Sequence, residues 1–159
     1  MKYLLLIFLS SFFIIGKLFS GQLINEYNFS SSTNGLYKLE DGRVFEASSL
    51  EGHIKNNLGN YGNIRCNSLI ETKKSELVFL KVICESSLND GNTIWSVLER
   101  GSSSFKAGIG DSTIIDATGK YKKLKGIKCI YAVTKYKKSS FVKEKCNIKD
   151  SVFNQLKSQ

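Results

Sequence analysis

Residues 62–86 read GNIRCNSLIETKKSELVFLKVICES, and the fold hinges on how this stretch pairs with itself. With the turn near Ser75 and Cys66 opposite Cys84, one face pairs Ile64 with Ser86, Ser68 with Val82, Ile70 with Leu80 and Thr72 with Val78. The other face pairs Arg65 with Glu85, Asn67 with Ile83, Leu69 with Lys81 and Glu71 with Phe79. The cysteine face is the more apolar, and Arg65 meets an opposite charge across the ladder. A slip of one residue turns the apolar set outward. This register predicts an antiparallel hairpin with both cysteines facing a core.

The same reasoning applies near the C-terminus. Cys129 opposite Cys146 pairs Ile127 with Ile148, Tyr131 with Glu144 and Val133 with Val142 on the cysteine face. Lys128, Ile130 and Ala132 then face Asn147, Lys145 and Lys143 on the polar side. Four cysteines allow three connectivities, and the two registers favour Cys66–Cys84 with Cys129–Cys146. Directly opposite positions suit the short Cβ separation of a disulfide. Four cysteines on one zinc ion is the alternative, and the chain has no C-x₂-C spacing to support it.

Working outward, the remaining segments are short, β-branched and punctuated by turns, with no long helical period. Strands are expected at Leu36–Leu39, Arg43–Ser48, Leu50–Asn56, Gly62–Thr72, Glu76–Ser86, Thr93–Arg100, Gly108–Asp116, Gly119–Lys135 (bent at Gly126) and Ser140–Ile148. Turn signals at Asp41-Gly42, Asn57 to Asn63, Asn89 to Asn92 and Gly101 to Ser104 separate them. The expected fold is all-β: an antiparallel meander of about eight strands closed into a small barrel, which removes exposed edges. Proline is absent, and no repeat or linker divides the chain.

The ends read differently. Lys2, an apolar run from Tyr3 to Ile15, and small residues at Ser20 and Gly21 form the pattern of a secretory signal peptide over residues 1–20. The run is shorter than the roughly 20 residues of a membrane-spanning helix, and Lys17 interrupts any extension. No second apolar run approaches that length, so no transmembrane segment is expected after cleavage. Residues 21–35, rich in Ser and Asn, read as a flexible lead-in. Residues 36–149 are the barrel domain and 150–159 a polar C-terminal tail, with one helical turn around Val152 to Leu156. The chain is expected to be secreted or periplasmic, and an oxidising compartment makes disulfides the natural state of its cysteines.

The net charge of +9 is unevenly spread. Residues 120–149 hold eleven lysines against the single acid Glu144, while residues 22–119 hold nine Lys/Arg against twelve Asp/Glu. Lys120, Lys122, Lys123, Lys125, Lys128, Lys143 and Lys145 are candidates for contact with an anionic envelope surface. The plainer reading is a solvated lysine face. The region contains no arginine, the residue suited to specific phosphate recognition, so specific nucleic-acid binding is not expected.

Few residues promise chemistry. His53 is the only histidine, and no G-x-S-x-G elbow, phosphate loop or H-E-x-x-H occurs. Paired cysteines leave no thiolate nucleophile. Asp111 and Asp116 are five apart on one strand and fall on opposite faces unless a bulge intervenes. Glu144 lies on the apolar face opposite Tyr131, where a carboxylate can bind ligand or move a proton; a plain Tyr131–Glu144 hydrogen bond is the alternative. These two are the only catalytic candidates, and no metal or cofactor is expected. Tyr61 in the Asn57–Asn63 loop and Trp95, the single tryptophan, join Tyr131 and Glu144 as candidate ligand contacts, against turn chemistry for the first and core packing for the second.

Ile115-Asp-Ala-Thr-Gly-Lys-Tyr-Lys-Lys-Leu-Lys-Gly126 resembles the strand signature of the dirigent and allene oxide cyclase-like (calycin-like) barrels, at Thr118, Gly119, Tyr121 and Gly126. Ala117 stands where that signature usually has the first of two glycines. The resemblance implies an eight-stranded antiparallel barrel with a central cavity and no activity, because no catalytic residue of that superfamily maps onto this chain. The Asn57–Asn63 loop and the cysteines also look like those of small secreted bacterial proteins.

Three functions remain in view. The first is an exported, non-enzymatic barrel binding a small apolar or amphipathic ligand. The second is an envelope interaction protein that uses its lysine-rich C-terminal hairpin. The third is a cyclase- or isomerase-like enzyme using Glu144 and Tyr131.

Overall fold

The computed structural model describes residues 20–157, most of them in eight antiparallel strands. These are β1 (Ser20–Lys38), β2 (Arg43–Asn56), β3 (Tyr61–Lys73), β4 (Glu76–Leu88), β5 (Thr93–Ser104), β6 (Ala107–Ala117), β7 (Lys128–Tyr136) and β8 (Ser139–Lys149). A 3-10 helix (Gly119–Leu124) precedes β7, and α1 (Asp150–Lys157) follows β8. Each strand pairs with its sequence neighbours, and β8 returns to β1 to close the barrel. The signal-peptide reading of residues 1–20 falls almost entirely outside the described residues.

Both hairpin registers hold around their cysteines, although the β7–β8 ladder begins at Cys129–Cys146 and does not extend to the expected Ile127–Ile148 and Lys128–Asn147 pairs. Cys66 pairs with Cys84 and Cys129 with Cys146, at Cα–Cα distances of 4.1 and 4.3 Å, and each pair is a disulfide. Such close spacing belongs to the non-hydrogen-bonded positions of an antiparallel ladder, where side chains approach most closely. The first register departs from expectation only next to the turn. A shift between Glu71 and Thr72 pairs Thr72 with Leu77 in place of Val78, so Leu77 turns inward and is buried while Val78 is exposed.

Inward-facing residues alternate with outward ones along every strand, as in β3, where Ile64, Cys66, Ser68 and Ile70 are all buried. The outer wall carries cross-strand ion pairs, Lys55–Glu26, Arg65–Glu85, Lys81–Glu99 and Lys143–Glu26. A lipid-embedded barrel carries an apolar band there. Among the described residues, no helix is long and apolar enough to cross a membrane.

Several expectations need correction. Residues 21–35 are not a flexible lead-in but most of β1, paired on one side with β2 and on the other with β8. Leu23, Asn25, Tyr27 and Phe29 of this segment are buried. The flanking strands, β8 over Ser20–Ser30 and β2 from Asn25 onward, supply ladder partners that the Ser/Asn-rich composition alone did not promise. The expected strands at Arg43–Ser48 and Leu50–Asn56 are one strand, β2. The segment Gly119–Lys135 is not one bent strand: its first part is the 3-10 helix, and β7 begins only at Lys128. The family-like signature therefore lies at the end of β6 and in this helix.

The two ends of the barrel differ. At one end Tyr121 and Leu124 of the 3-10 helix and Leu156 of α1 are buried and cover the interior. Lys120 fastens the helix to Asp90 in the β4–β5 turn at 3.2 Å, and Asn57 pins the β2–β3 turn to β1 through Gln22 O (2.8 Å) and Ile24 N (3.0 Å). At the opposite end, inward-facing Val44, Glu46, Thr72 and Lys135 are only half-buried, so the interior meets solvent there.

Candidate functional site

Two polar clusters lie inside the apolar barrel. The first, near mid-height, surrounds Glu144 of β8, which is 1% exposed. The register sets Glu144 opposite Tyr131, but its carboxylate turns the other way, to β1. Tyr27 donates from Oη to Glu144 Oε2 at 2.5 Å, and Asn25 donates from Nδ2 to the same oxygen at 2.7 Å. Burial, and then the neighbouring Glu144 charge, hold the Tyr27 hydroxyl well above its ordinary pKa. Tyr27 is thus a fixed donor. Glu144 Oε1, Asn25 Oδ1 and the Tyr131 hydroxyl have no hydrogen-bond partner among the described residues. The expected Tyr131–Glu144 hydrogen bond is not made.

The second cluster sits toward the uncovered end. Along β5, Ile94, Ser96, Leu98 and Arg100 all point inward, and Arg100 is only 5% exposed. None of its three guanidinium nitrogens has a hydrogen-bond partner among the described residues. A guanidinium remains charged in proteins, and a buried charge is ordinarily paired. Burial lowers its pKa without removing the charge. Tyr131 of β7 lies on the same wall, its hydroxyl raised to about 12 mainly by burial. Lys135, two pleat repeats further along β7, is lowered to about 8 by burial, with Glu46 opposing the shift and Arg100 adding to it. Its Nζ stands 3.4 Å from the centre of the Phe105 ring. Glu46 accepts hydrogen bonds from Ser48 Oγ (2.5 Å) and Thr33 Oγ1 (3.1 Å) and makes no ion pair with Arg100.

Strand β6 makes room for this cluster. A Cβ on Gly108 would stand 2.3 Å from Arg100 Nη1, and one on Gly110 would stand 2.6 Å from the Tyr131 ring. Bare backbone at both positions lets the guanidinium and the phenol lie flat against the wall. Between them is an interior cavity of about 60 Å³, walled by Phe29, Leu80, Leu98 and Val142 and reached by Arg100, Tyr131 and Lys135.

The other candidates are scattered. Trp95 lies half-buried on the outer wall and donates from Nε1 to Glu85 Oε2 at 3.1 Å, so it neither packs in the core nor reaches the cavity. Tyr61 opens β3, is 63% exposed and borders an outer depression with His53, Lys55 and Phe141, while the Asn56 side chain closes the preceding turn onto itself. A bulge between Trp95 and Ser96 re-phases β6, putting Asp111 and Asp116 both on the outer wall instead of on opposite faces. Exposed His53 contacts Asn63 through Nδ1 at 3.2 Å. Cys129, Glu144 and Cys146 are spaced like metal ligands, but both sulfurs are committed to the disulfide.

Of the seven candidate lysines, Lys120 faces Asp90, Lys125 faces Asp116 at 3.5 Å, Lys143 faces Glu26 at 3.2 Å and Lys123 donates to Gln155 at 2.5 Å. Lys122, Lys128 and Lys145 are exposed and make no ion pair among the described residues. Arg100 and Lys135 were not among the sequence candidates. The signal was present: inward Ile94 and Leu98 on β5 carry Arg100 inward by the same period of two.

No family model matches the chain, and no curated protein matches its sequence. Among solved structures, a crystal structure of an enzyme from Penicillium herquei is similar in fold. Its TM-score is 0.53 at 11% identity, and the match covers 79% of this chain and 94% of that one. Likeness at this identity concerns the barrel alone. The chain is a closed eight-stranded antiparallel β-barrel with two hairpin disulfides, which suit a non-reducing, extracellular setting.

Proposed function

We propose that this is an exported, non-enzymatic barrel that binds a small amphipathic ligand through its uncovered end. The observation that carries the reading is the convergence of Arg100, Tyr131 and Lys135 on an apolar-walled cavity at that end. Apolar walls with a few directed polar groups are the usual composition of a ligand site. The volume of about 60 Å³ sets the scale: the enclosed part of the ligand is only a few heavy atoms, and any longer chain extends toward solvent. The cyclase or isomerase reading needs Glu144 at the cavity wall, and Glu144 is turned to β1, where its Oε2 accepts from Tyr27 and Asn25; it does not line the cavity that Arg100, Tyr131 and Lys135 reach.

The test is native mass spectrometry of the protein from its own cells, together with thermal shifts against short-chain amphiphiles. A retained small molecule, or a rise in Tm with one class of amphiphile, supports the reading. A bare chain and an unmoved Tm across the panel contradict it.

A second reading rests on the outer wall of β6–β8. Exposed Ile109 and Ile130 flank Lys128, Lys143 and Lys145 around a depression of about 550 Å³, a pattern suited to an anionic amphipathic surface. Binding to phosphatidylglycerol vesicles that weakens as salt rises from 0.01 to 0.5 M (about 30 Å down to a few Å of screening length) supports it. Absence of binding at low salt sinks it.

A further inference from the structure

The buried guanidinium of Arg100 points to the chemical class of the ligand. We propose that the interior site takes a carboxylate: a small organic acid whose head group pairs with Arg100 and whose apolar portion lies against Leu98 and Val142. The inference rests on the ligand-binding reading above and adds the charge of the head group to it.

Three observations carry it. First, Arg100 is 5% exposed and its three guanidinium nitrogens lack hydrogen-bond partners among the described residues. Leaving a buried charge unpaired costs several times more than losing an ordinary hydrogen bond, so the position makes sense when an anion completes it. Among the described residues no acid does so. Glu46 is held by Ser48 and Thr33, and Glu144 is held by Tyr27 and Asn25.

Second, the site is built around that side chain. Gly108 and Gly110 remove the two Cβ atoms that would otherwise collide with Arg100 and Tyr131. The guanidinium fork is matched in shape to a carboxylate and binds it through two parallel hydrogen bonds. The Tyr131 hydroxyl, without a hydrogen-bond partner among the described residues, is a further donor lining the same cavity.

Third, size and charge select a monoanion. A cavity of about 60 Å³ admits a carboxylate with a short chain. The end carries the fixed charge of Arg100, the titrating charge of Lys135 and the opposing charge of Glu46, which is a poor match to a doubly charged phosphate.

The test uses the disulfide-intact protein and a matched series, hexanoate, 1-hexanol, hexylamine and hexyl phosphate, measured by calorimetry at pH 6.5. Hexanoate is expected to bind the wild type at least about tenfold more tightly than 1-hexanol, the scale of a hydrogen bond to a charged group. In Arg100→Met that preference falls to near unity while 1-hexanol affinity is retained. Should Arg100→Met fail to fold, Lys135→Gln, at a half-buried position, serves instead and lowers the preference a few-fold.

Equal binding of acid and alcohol overturns the carboxylate assignment and leaves the ligand-binding reading standing, with water satisfying the guanidinium. Tighter binding of hexyl phosphate or of hexylamine also overturns it. No binding by any member, nor by shorter homologues of each, overturns both.

Discussion

Tyr131 and Glu144 face one another across the β7–β8 ladder, yet the carboxylate hydrogen-bonds to Tyr27 on β1 and the Tyr131 hydroxyl is left without a partner. One buried acid thus ties the first strand to the last at the seam where the barrel closes. Tyr131 is released to the cavity, on the side of Arg100.

This arrangement separates the two tyrosines energetically. Tyr27→Phe removes a donor from a buried carboxylate and is expected to destabilise the fold by about 2 kcal/mol. Tyr131→Phe removes a hydroxyl that makes no hydrogen bond among the described residues, and its expected cost is below about 0.5 kcal/mol. Urea denaturation of both variants checks the contrast. Equal losses would show that Tyr131 is bonded in solution.

Lys135 predicts a pH dependence. Its pKa falls from 10.5 to about 8 on folding, so between those values the unfolded chain binds the extra proton and stability rises with pH. The raised pKa values of Tyr27 and Tyr131 act the other way above pH 10. The contribution of Lys135 is therefore read as the difference between the wild type and Lys135→Met. That difference should shift in favour of the wild type from pH 8 to 10.5, and a flat difference contradicts the buried setting of Lys135. Carboxylate affinity should decline over pH 7–9 as the same charge is lost.

Much of this was legible in the chain. Cys66, Cys84, Cys129 and Cys146 fell at register positions that alternation alone dictated, because a period of two leaves one way to keep Ile64, Ile70, Val133 and Val142 inside. What escaped was non-local. The Ser- and Asn-rich stretch from Asn28 to Asn34 carries mostly turn-forming side chains, and pairing with β2, joined by β8 as far as Ser30, makes it a strand. Without β1 as a strand, the Tyr27–Glu144 contact had no route to discovery. Arg100 ended an expected strand, where a basic residue reads as solvated, although β5 runs on to Ser104 and carries it inward.

The glycines of β6 offer a paired prediction. At Gly108 an added Cβ meets the far end of the Arg100 side chain, so Gly108→Ala should displace the guanidinium and weaken hexanoate binding while the protein still folds. At Gly110 the added atom meets Glu99 O as well as the Tyr131 ring, each at 2.6 Å. Backbone cannot yield so easily, and Gly110→Ala should lower stability by about 1–3 kcal/mol. Thermal melts and calorimetry on the two variants distinguish lost binding from lost fold.

Each disulfide closes a loop, with sequence separations of 18 and 17, and should contribute about 2–4 kcal/mol. Replacing either pair with alanines is expected to lower the urea midpoint, with the double replacement lowering it furthest. Unchanged midpoints would mean that the ladders alone hold these strands.

The central claim is that a small acid enters the barrel through its uncovered end, and its most direct test is an isotope-edited NOE experiment with methyl-labelled propionate, whose few heavy atoms suit a cavity of about 60 Å³. Contacts are expected from the ligand methyl to the inward-facing Leu98 and Val142. Contacts confined to outward-facing Ile109 and Ile130, or none at saturating ligand, would contradict it.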